Sequence, residues 1–436
     1  MTRIRGAIPR LTEALGGWST KRWMVVLFLV ALALRVVFVL AVHRESLGFN
    51  DTLFYHVSAT LMADGHGYSD FNGAPTARWP PAYTFLLSLL YRVFGPDYLA
   101  GELFNAVIGA AAVPLLMLIA LRVFGRREAI AAGVILALFP GQILYTEVLL
   151  AETLYATALL VVFALVTVLK PERRTTVIAI GAAIGLATLI RGEGPLLLAI
   201  PLAVWWPELS KKDLAKRTAL LLAATAMVIV PWTARNAIVM DDFIPLSTNG
   251  GTTFWSGHNP RANGGPTYAT PELLARAGPE SDPGTPLAQE SLLRREALEF
   301  MVNNPGRELE LIPLKLLWLN RGDSAAIDIW INTVQEGPKP LSPDNRVVIG
   351  AVADFAYYGL LLLTILSVVL LPELRRRRVT RGVLGLFAAS LVLYGFVLYG
   401  NFRYRAPLEP LMILLAVPLV VRLGRVRGAE SPVPSP

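Results

Sequence analysis

The residues best suited to chemistry in this chain are acids and arginines that stand beside long apolar runs. Asp51 lies in Asn50-Asp51-Thr52-Leu53-Phe54-Tyr55, shortly after the first such run. A carboxylate at a membrane surface, flanked by aromatics such as Tyr55, can serve as a general base. Asn and Asp also favour helix N-caps, and the two roles are compatible. Glu147 and Glu152 open another apolar run. An acid there is costly, so it marks either a functional group or an internal partner for an arginine. Arg191 sits in Arg191-Gly192-Glu193-Gly194-Pro195, and Arg235 follows Pro231-Trp232. Arg403, Tyr404 and Arg405 sit in Asn401-Phe402-Arg403-Tyr404-Arg405-Ala406-Pro407. Two arginines around a tyrosine suit a phosphate clamp with a stacking surface, or an anchor for anionic headgroups. Arg78, before Trp79-Pro80-Pro81, can hold a lipid phosphate or snorkel to headgroups. Asn249-Gly250-Gly251 and Ser256-Gly257-His258-Asn259-Pro260 let backbone amides approach a ligand, or simply turn the chain. His258 is one of four histidines, and the others (His43, His56, His66) show no tight ligand spacing, so the metal signal is weak.

The elements that must position these groups are membrane spans. Of 436 residues, 54% are hydrophobic and 17% charged, against about 25% charged in a soluble domain. Mean hydropathy is +0.52. Ten spans fit the pattern: 23–42, 98–121, 129–145, 149–169, 176–190, 195–206, 220–239, 349–371, 383–399 and 407–421. Basic clusters precede the first span and follow the second, fourth, sixth, eighth and tenth. If the spans alternate, all these clusters fall on one side, the cytoplasmic one, with both termini there. The first span, after basic residues and with no small-residue cleavage site behind it, reads as a retained signal anchor. Arg35, within it, pairs internally or snorkels.

Two apolar stretches are assigned to the outer interface instead. Residues 82–94 have a polar edge, and crossing there would carry several basic clusters outside. Residues 309–319 are punctuated by charges. The expected organisation is a membrane module over 1–239 that includes a first outer loop at 43–97. A second outer loop of mixed structure spans 240–348, with an irregular Gly/Pro-rich middle. The last helices span 349–427, and a disordered tail 428–436. On this threading Arg191, Arg235, Arg403 and Arg405 lie outside, against the positive-inside trend, so each needs an anionic partner: a carboxylate, a headgroup or a substrate phosphate.

The net charge of +8 is explained by this topology rather than by nucleic acid. The chain has no cysteine, which rules out disulfides, thiolate catalysis and cysteine-ligated metals. It has no phosphate-binding G-x-x-x-x-G-K-[ST], no dinucleotide fingerprint and no G-x-S-x-G elbow. An enzyme of this kind must use a donor activated elsewhere.

Taken in order, these motifs resemble the GT-C membrane glycosyltransferases, in the branch of protein O-mannosyltransferases and lipid A aminoarabinose transferases. The series is Asp51 to Tyr55, Trp79 to Tyr83, Leu150-Ala151-Glu152-Thr153-Leu154, Arg191 to Glu193, Pro231 to Asn236, Asn249 to Gly251, Gly257 to Pro260, and Arg403 to Pro407. The likeness covers roughly residues 34–410. It implies an all-α polytopic fold in a bacterial inner membrane, and a polyprenyl-phosphate-linked sugar donor. It also implies inversion at the anomeric carbon and a protein, lipid or glycan acceptor outside. By resemblance Asp51 is the base, and Glu152 assists it or binds a divalent metal. Arg403 and Arg405, then Arg191, Arg235 and Arg78, face the donor phosphate together with Tyr404. Tyr55, Asn249, His258 and Asn259 line the substrate loops. The family often has an Asp-Glu pair at the first position, and Thr52 replaces the second acid here. The competing reading is a transporter or flippase of a lipid-linked sugar or anion, which would place its binding residues nearer the midplane.

Overall fold

A computed structural model of the chain describes residues 17–43, 50–169, 173–278, 285–327 and 341–429; the proposed tail from 430 onward lies outside the described residues. Among the described residues the architecture is helical, with a single isolated bridge between Ser69 and Pro75. Each of the ten expected spans coincides with a helix or a pair of consecutive helices.

Helix α1 (Thr20–Val42) starts at Ser19, whose side chain accepts from the Arg22 amide. The stretch that the sequence reading assigns to a first outer loop, 43–97, follows with α2 (Asn50–Ala63) and α3 (Ala82–Phe94), which pack on each other. The centre of the molecule is α4 (Tyr98–Val123), capped by Asp97, which accepts from the Leu99 amide at 2.8 Å. Its small residues, Gly101, Ala106, Gly109, Ala110 and Ala112, let neighbouring helices close in. Around it stand α1, α5 (Arg126–Leu138) and α7 (Glu152–Val168). Helix α5 ends at Phe139, because Pro140 cannot continue it, and a short α6 (Pro140–Leu144) takes over. Next come α8 (Arg174–Ile190), a tight turn at Gly194–Leu198, α9 (Ala199–Trp205) and α10 (Lys211–Val239).

The stretch that the sequence reading assigns to a second outer loop, 240–348, is expected to be of mixed structure. Where described it consists of α11 (Gly250–Gly257), a helical turn at Pro271–Ala275, α12 (Thr285–Asn303) and α13 (Pro305–Leu319), with an irregular stretch after α11. The chain then forms α14 (Pro343–Leu370), α15 (Arg378–Val392) continued by a π-helical turn at Leu393–Val397, the short α16 (Phe402–Arg405), and α17 (Glu409–Ala429). Among the described residues six helical segments are long and apolar enough to cross a membrane, and α3, α7, α8 and Gly194–Trp205 are shorter apolar helices.

Helix α3 has two faces. Tyr83, Thr84, Leu87, Ser88 and Tyr91 are buried, whereas Phe85, Leu89, Val93 and Phe94 are exposed. At 13 residues it reaches about 20 Å, short of a bilayer core of about 30 Å. Members of two of the expected basic clusters, 122–127 and 375–381, meet at one end of the bundle. Arg126 donates to the Trp18 carbonyl, Arg377 to the Val123 carbonyl, and Arg378 and Arg381 pair with Glu208 at 2.6 and 2.9 Å. The second outer loop is pressed onto the turn after α15. A side chain on Gly400 would collide with the Lys315 carbonyl, and one on Gly257 with the Leu398 carbonyl.

Candidate active site

Asp51 lies in the first turn of α2, and Tyr55 follows one turn later on the same face. Glu152 is the first residue of α7, where the helix dipole favours a negative charge. Arg191 ends α8 in an extended conformation, which turns its side chain back toward Glu152. Asn401 caps α16 by accepting from the Arg403 amide at 3.0 Å, and so sets the direction of that short helix.

These four elements bring one charged chain together. Arg403 Nη1 lies 2.6 Å from Asp51 Oδ2, and Arg403 Nε donates to Glu152. Arg191 Nη1 lies 2.5 Å from the same Glu152 oxygen. The other edge of Arg191 is held by Glu193, at 2.6 Å from Nη2 and 3.1 Å from Nε. Tyr394 donates to Glu193 at 3.3 Å and stacks on Tyr404 with ring centroids 4.7 Å apart. Burial works against the Arg191 charge, but Glu152 and Glu193 more than offset it, so the guanidinium is held protonated well above its ordinary range. Burial, then Glu152, raises the Tyr55 hydroxyl well above its ordinary range, so it remains a neutral donor.

Beside this chain is a cavity of about 440 Å³. Asp51, Tyr55, Arg191, Glu193, Arg403 and Tyr404 supply its polar edge, and Ile190, Leu246, Leu393 and Leu398 its apolar wall. Asn249, Gly250 and Thr253 reach it from the second outer loop, and Trp79 and Pro80 from the first. A pocket with a largely apolar wall and a few convergent charges suits an amphiphilic ligand. Glu193, Trp79 and Tyr399 also line it, and the sequence does not mark them as site residues. Each sits within a few residues of one that it does mark (Arg191, Arg78 and Arg403), so proximity in the chain is the available signal.

Not every expected residue joins the cavity. Arg405 points the other way, into a buried cluster with Asp323 at 2.6 Å and with Glu409. Arg235 donates to the carbonyls of Thr76 at 2.7 Å and Tyr68 at 2.9 Å, and thereby fastens the first outer loop to α10. His258 is fully buried, with Nδ1 2.7 Å from Glu308 and Nε2 2.9 Å from the Val397 carbonyl. Asn259 donates to the Trp255 carbonyl and to Thr267, both at 2.8 Å, within the second loop. Arg78 stands over the Phe54 ring at 5.4 Å, next to the lining residue Trp79, with no acidic partner among the described residues.

A hard divalent ion such as Mg²⁺ or Ca²⁺ takes an open cage of oxygens. Asp51 and Glu152 are instead bridged by a guanidinium, and among the described residues no group of three or more His, Asp or Glu side chains is arranged to hold a metal.

Residues 78–234 match a family model described as dolichyl-phosphate-mannose-protein mannosyltransferase. No curated protein matches the chain by sequence. Among solved structures, the oligosaccharyltransferase AglB from Archaeoglobus fulgidus, in complex with an inhibitory peptide and a dolichol-phosphate, superposes with a TM-score of 0.53 at 17% identity. That match covers 96% of this chain and 53% of the other. The apo form of the Archaeoglobus fulgidus oligosaccharyltransferase gives 0.54 at 15% identity, over 95% and 52%. ArnT from Cupriavidus metallidurans, bound to undecaprenyl phosphate, gives 0.45 at 17% identity, over 96% and 82%. The chain thus spans about half the length of the archaeal enzyme it matches. Its fold is that of the GT-C membrane glycosyltransferases.

Proposed function

We propose that this chain is an inverting glycosyltransferase that moves a sugar from a polyprenyl-phosphate donor to an extracytoplasmic acceptor, with Asp51 as the base. The observation that carries the reading is the convergence of Asp51, Arg403 and Arg191 on one cavity with an apolar wall, with Glu152 bridging the two guanidiniums. The family model matched over 78–234, whose description specifies a dolichyl-phosphate sugar donor, supports the donor class.

In the reaction, an acceptor hydroxyl oxygen attacks the anomeric carbon from the face opposite the phosphate. The new carbon–oxygen bond forms as the bond from that carbon to the phosphate oxygen breaks. The electron pair leaves with the phosphate, and the hydroxyl proton passes to Asp51. Charge grows on the phosphate, so fixed guanidiniums stabilise the transition state more than the ground state. Arg403 and Arg191 take that part, and Arg78 at the rim adds a third cation. Glu152 holds both inner guanidiniums in place. The lipid tail remains in the membrane, and the acceptor is a protein, lipid or glycan. The protein sits in a bacterial inner membrane, with both termini cytoplasmic and the cavity outside.

The test is a screen of polyprenyl-phosphate sugars with purified protein, reading released polyprenyl phosphate. Release that disappears in Asp51→Asn supports the reading. Movement of labelled donor across vesicles with no release would replace it with transport.

A further inference from the structure

The charge balance of the cavity raises a difficulty for an anionic donor. Among the described residues the two inner guanidiniums, Arg191 and Arg403, face three carboxylates, Asp51, Glu152 and Glu193, so this inner cluster carries a formal surplus of one negative charge. Arg78, at the rim, stands apart from these acids. The inner cations are already neutralised, so a phosphate must displace one of their carboxylates to pair with Arg403 or Arg191.

The three acids are not held equally. Glu152 is 1% exposed and is gripped by both guanidiniums. Glu193 takes two nitrogens of Arg191 and the Tyr394 hydroxyl. Asp51 is the most exposed, at 17%, and among the described residues its ion pair is the one to Arg403 Nη1. It comes from α2, whereas Arg403 comes from α16, far along the chain.

We propose that the donor phosphate competes with Asp51 for Arg403, so that donor binding itself releases the base. This deepens the glycosyl-transfer reading and rests on it. Before the donor arrives, Asp51 Oδ2 is tied to the Arg403 guanidinium, which weakens it as a base. When the phosphate takes the Arg403 position, both Asp51 oxygens are free to accept a hydrogen bond from an acceptor hydroxyl. The donor must then bind before the acceptor is activated, which guards the base against idle chemistry. After transfer, return of Asp51 to Arg403 helps expel the polyprenyl phosphate.

The competition makes a prediction opposite in sign to ordinary damage at a binding site. Removing the Asp51 charge strengthens binding of the lipid phosphate, although it abolishes transfer. Removing the Glu193 charge weakens binding, because Glu193 positions Arg191. The experiment measures the affinity of detergent-solubilised wild-type, Asp51→Asn, Asp51→Ser and Glu193→Gln proteins for decaprenyl monophosphate. Thermal unfolding is followed alongside, and two substitutions at Asp51 guard against misfolding of one. The expected result is about three- to tenfold tighter binding by both Asp51 variants and weaker binding by Glu193→Gln. Equal or weaker binding by folded Asp51 variants, with the wild type binding normally, overturns the competition and leaves the transfer reading standing. No binding by any form, with no release of polyprenyl phosphate from sugar donors, overturns both.

Discussion

Arg403 and Arg405 stand two residues apart in one short helix, yet they serve opposite ends. Side chains two apart on a helix point in nearly opposite directions. Arg403 therefore reaches the cavity, where it meets Asp51 and Glu152. Arg405 turns inward to Asp323 and Glu409 and lies 3.4 Å from the centroid of the Tyr357 ring. Gln142 closes that inner cluster, donating to Glu409 at 2.9 Å and to the Ala406 carbonyl at 2.8 Å. The inner cluster is sealed within packed helices, whereas the outer one borders a void large enough for a ligand. The difference teaches that a pair of arginines around a tyrosine is not one clamp. One arginine is part of the scaffold that aims the other.

The comparison breaks first at the base. Asp51→Asn is expected to lower transfer by about a hundredfold to ten-thousandfold, with the unfolding temperature little changed. A steady-state assay of polyprenyl phosphate release measures it. Next comes Arg403→Ala, with a loss of about a hundredfold to a thousandfold in turnover and weakened donor binding. The matched substitution on the inner side, Arg405→Ala, leaves buried Asp323 and Glu409 without their cation. It is expected to cost about 3–5 kcal/mol of stability, read by denaturation in detergent. If Arg405→Ala folded normally and lost only donor affinity, the two-ended account would be wrong.

A smaller effect separates the loops from the cavity. Arg235→Met removes two ties between α10 and the first outer loop, and is expected to raise hydrogen exchange around Tyr68 and Thr76. The smallest concerns Lys315, which is almost fully buried beside His258 and Glu308. Burial lowers its ammonium from the ordinary 10.5 to about 8, against the pull of Glu308. Between those values the unfolded chain binds a proton that the folded chain has given up, so stability rises with pH there. Burial and the Lys315 charge likewise lower the His258 imidazole, which keeps this junction short of protons. Unfolding temperatures at pH 7.5 and 9.5 should show the rise in the wild type and its loss in Lys315→Met.

The sequence carried the membrane helices, because their apolar runs and basic flanks follow from bilayer thickness and charge placement. It also carried the demand that each of the arginines read as lying outside have an anionic partner. Carboxylates take that place at Arg191 (Glu152 and Glu193), at Arg403 (Asp51 and Glu152) and at Arg405 (Asp323 and Glu409). Arg235 is held by backbone carbonyls, with no acid paired to it among the described residues. Arg35 also finds carbonyls, of Ala31 and Ala137, rather than snorkelling. Which face of α16 meets the cavity was not legible, since it depends on the Asn401 cap and on packing from residues far along the chain. Asp323 gave no pattern because it stands alone in a loop and meets its partner only through tertiary contact. His258 and Asn259 looked like ligand residues because glycine and polar side chains surround them. In the structure His258 ties the 240–348 stretch to Val397, and Asn259 braces that stretch through Thr267.

The most direct measurement is a structure of the protein with a polyprenyl phosphate bound. The account predicts phosphate density in the cavity against Arg403, with Asp51 withdrawn from that guanidinium and Arg405 still paired with Asp323 and Glu409. Phosphate density at Arg405 or Arg235, with the Asp51–Arg403 pair intact, would contradict it.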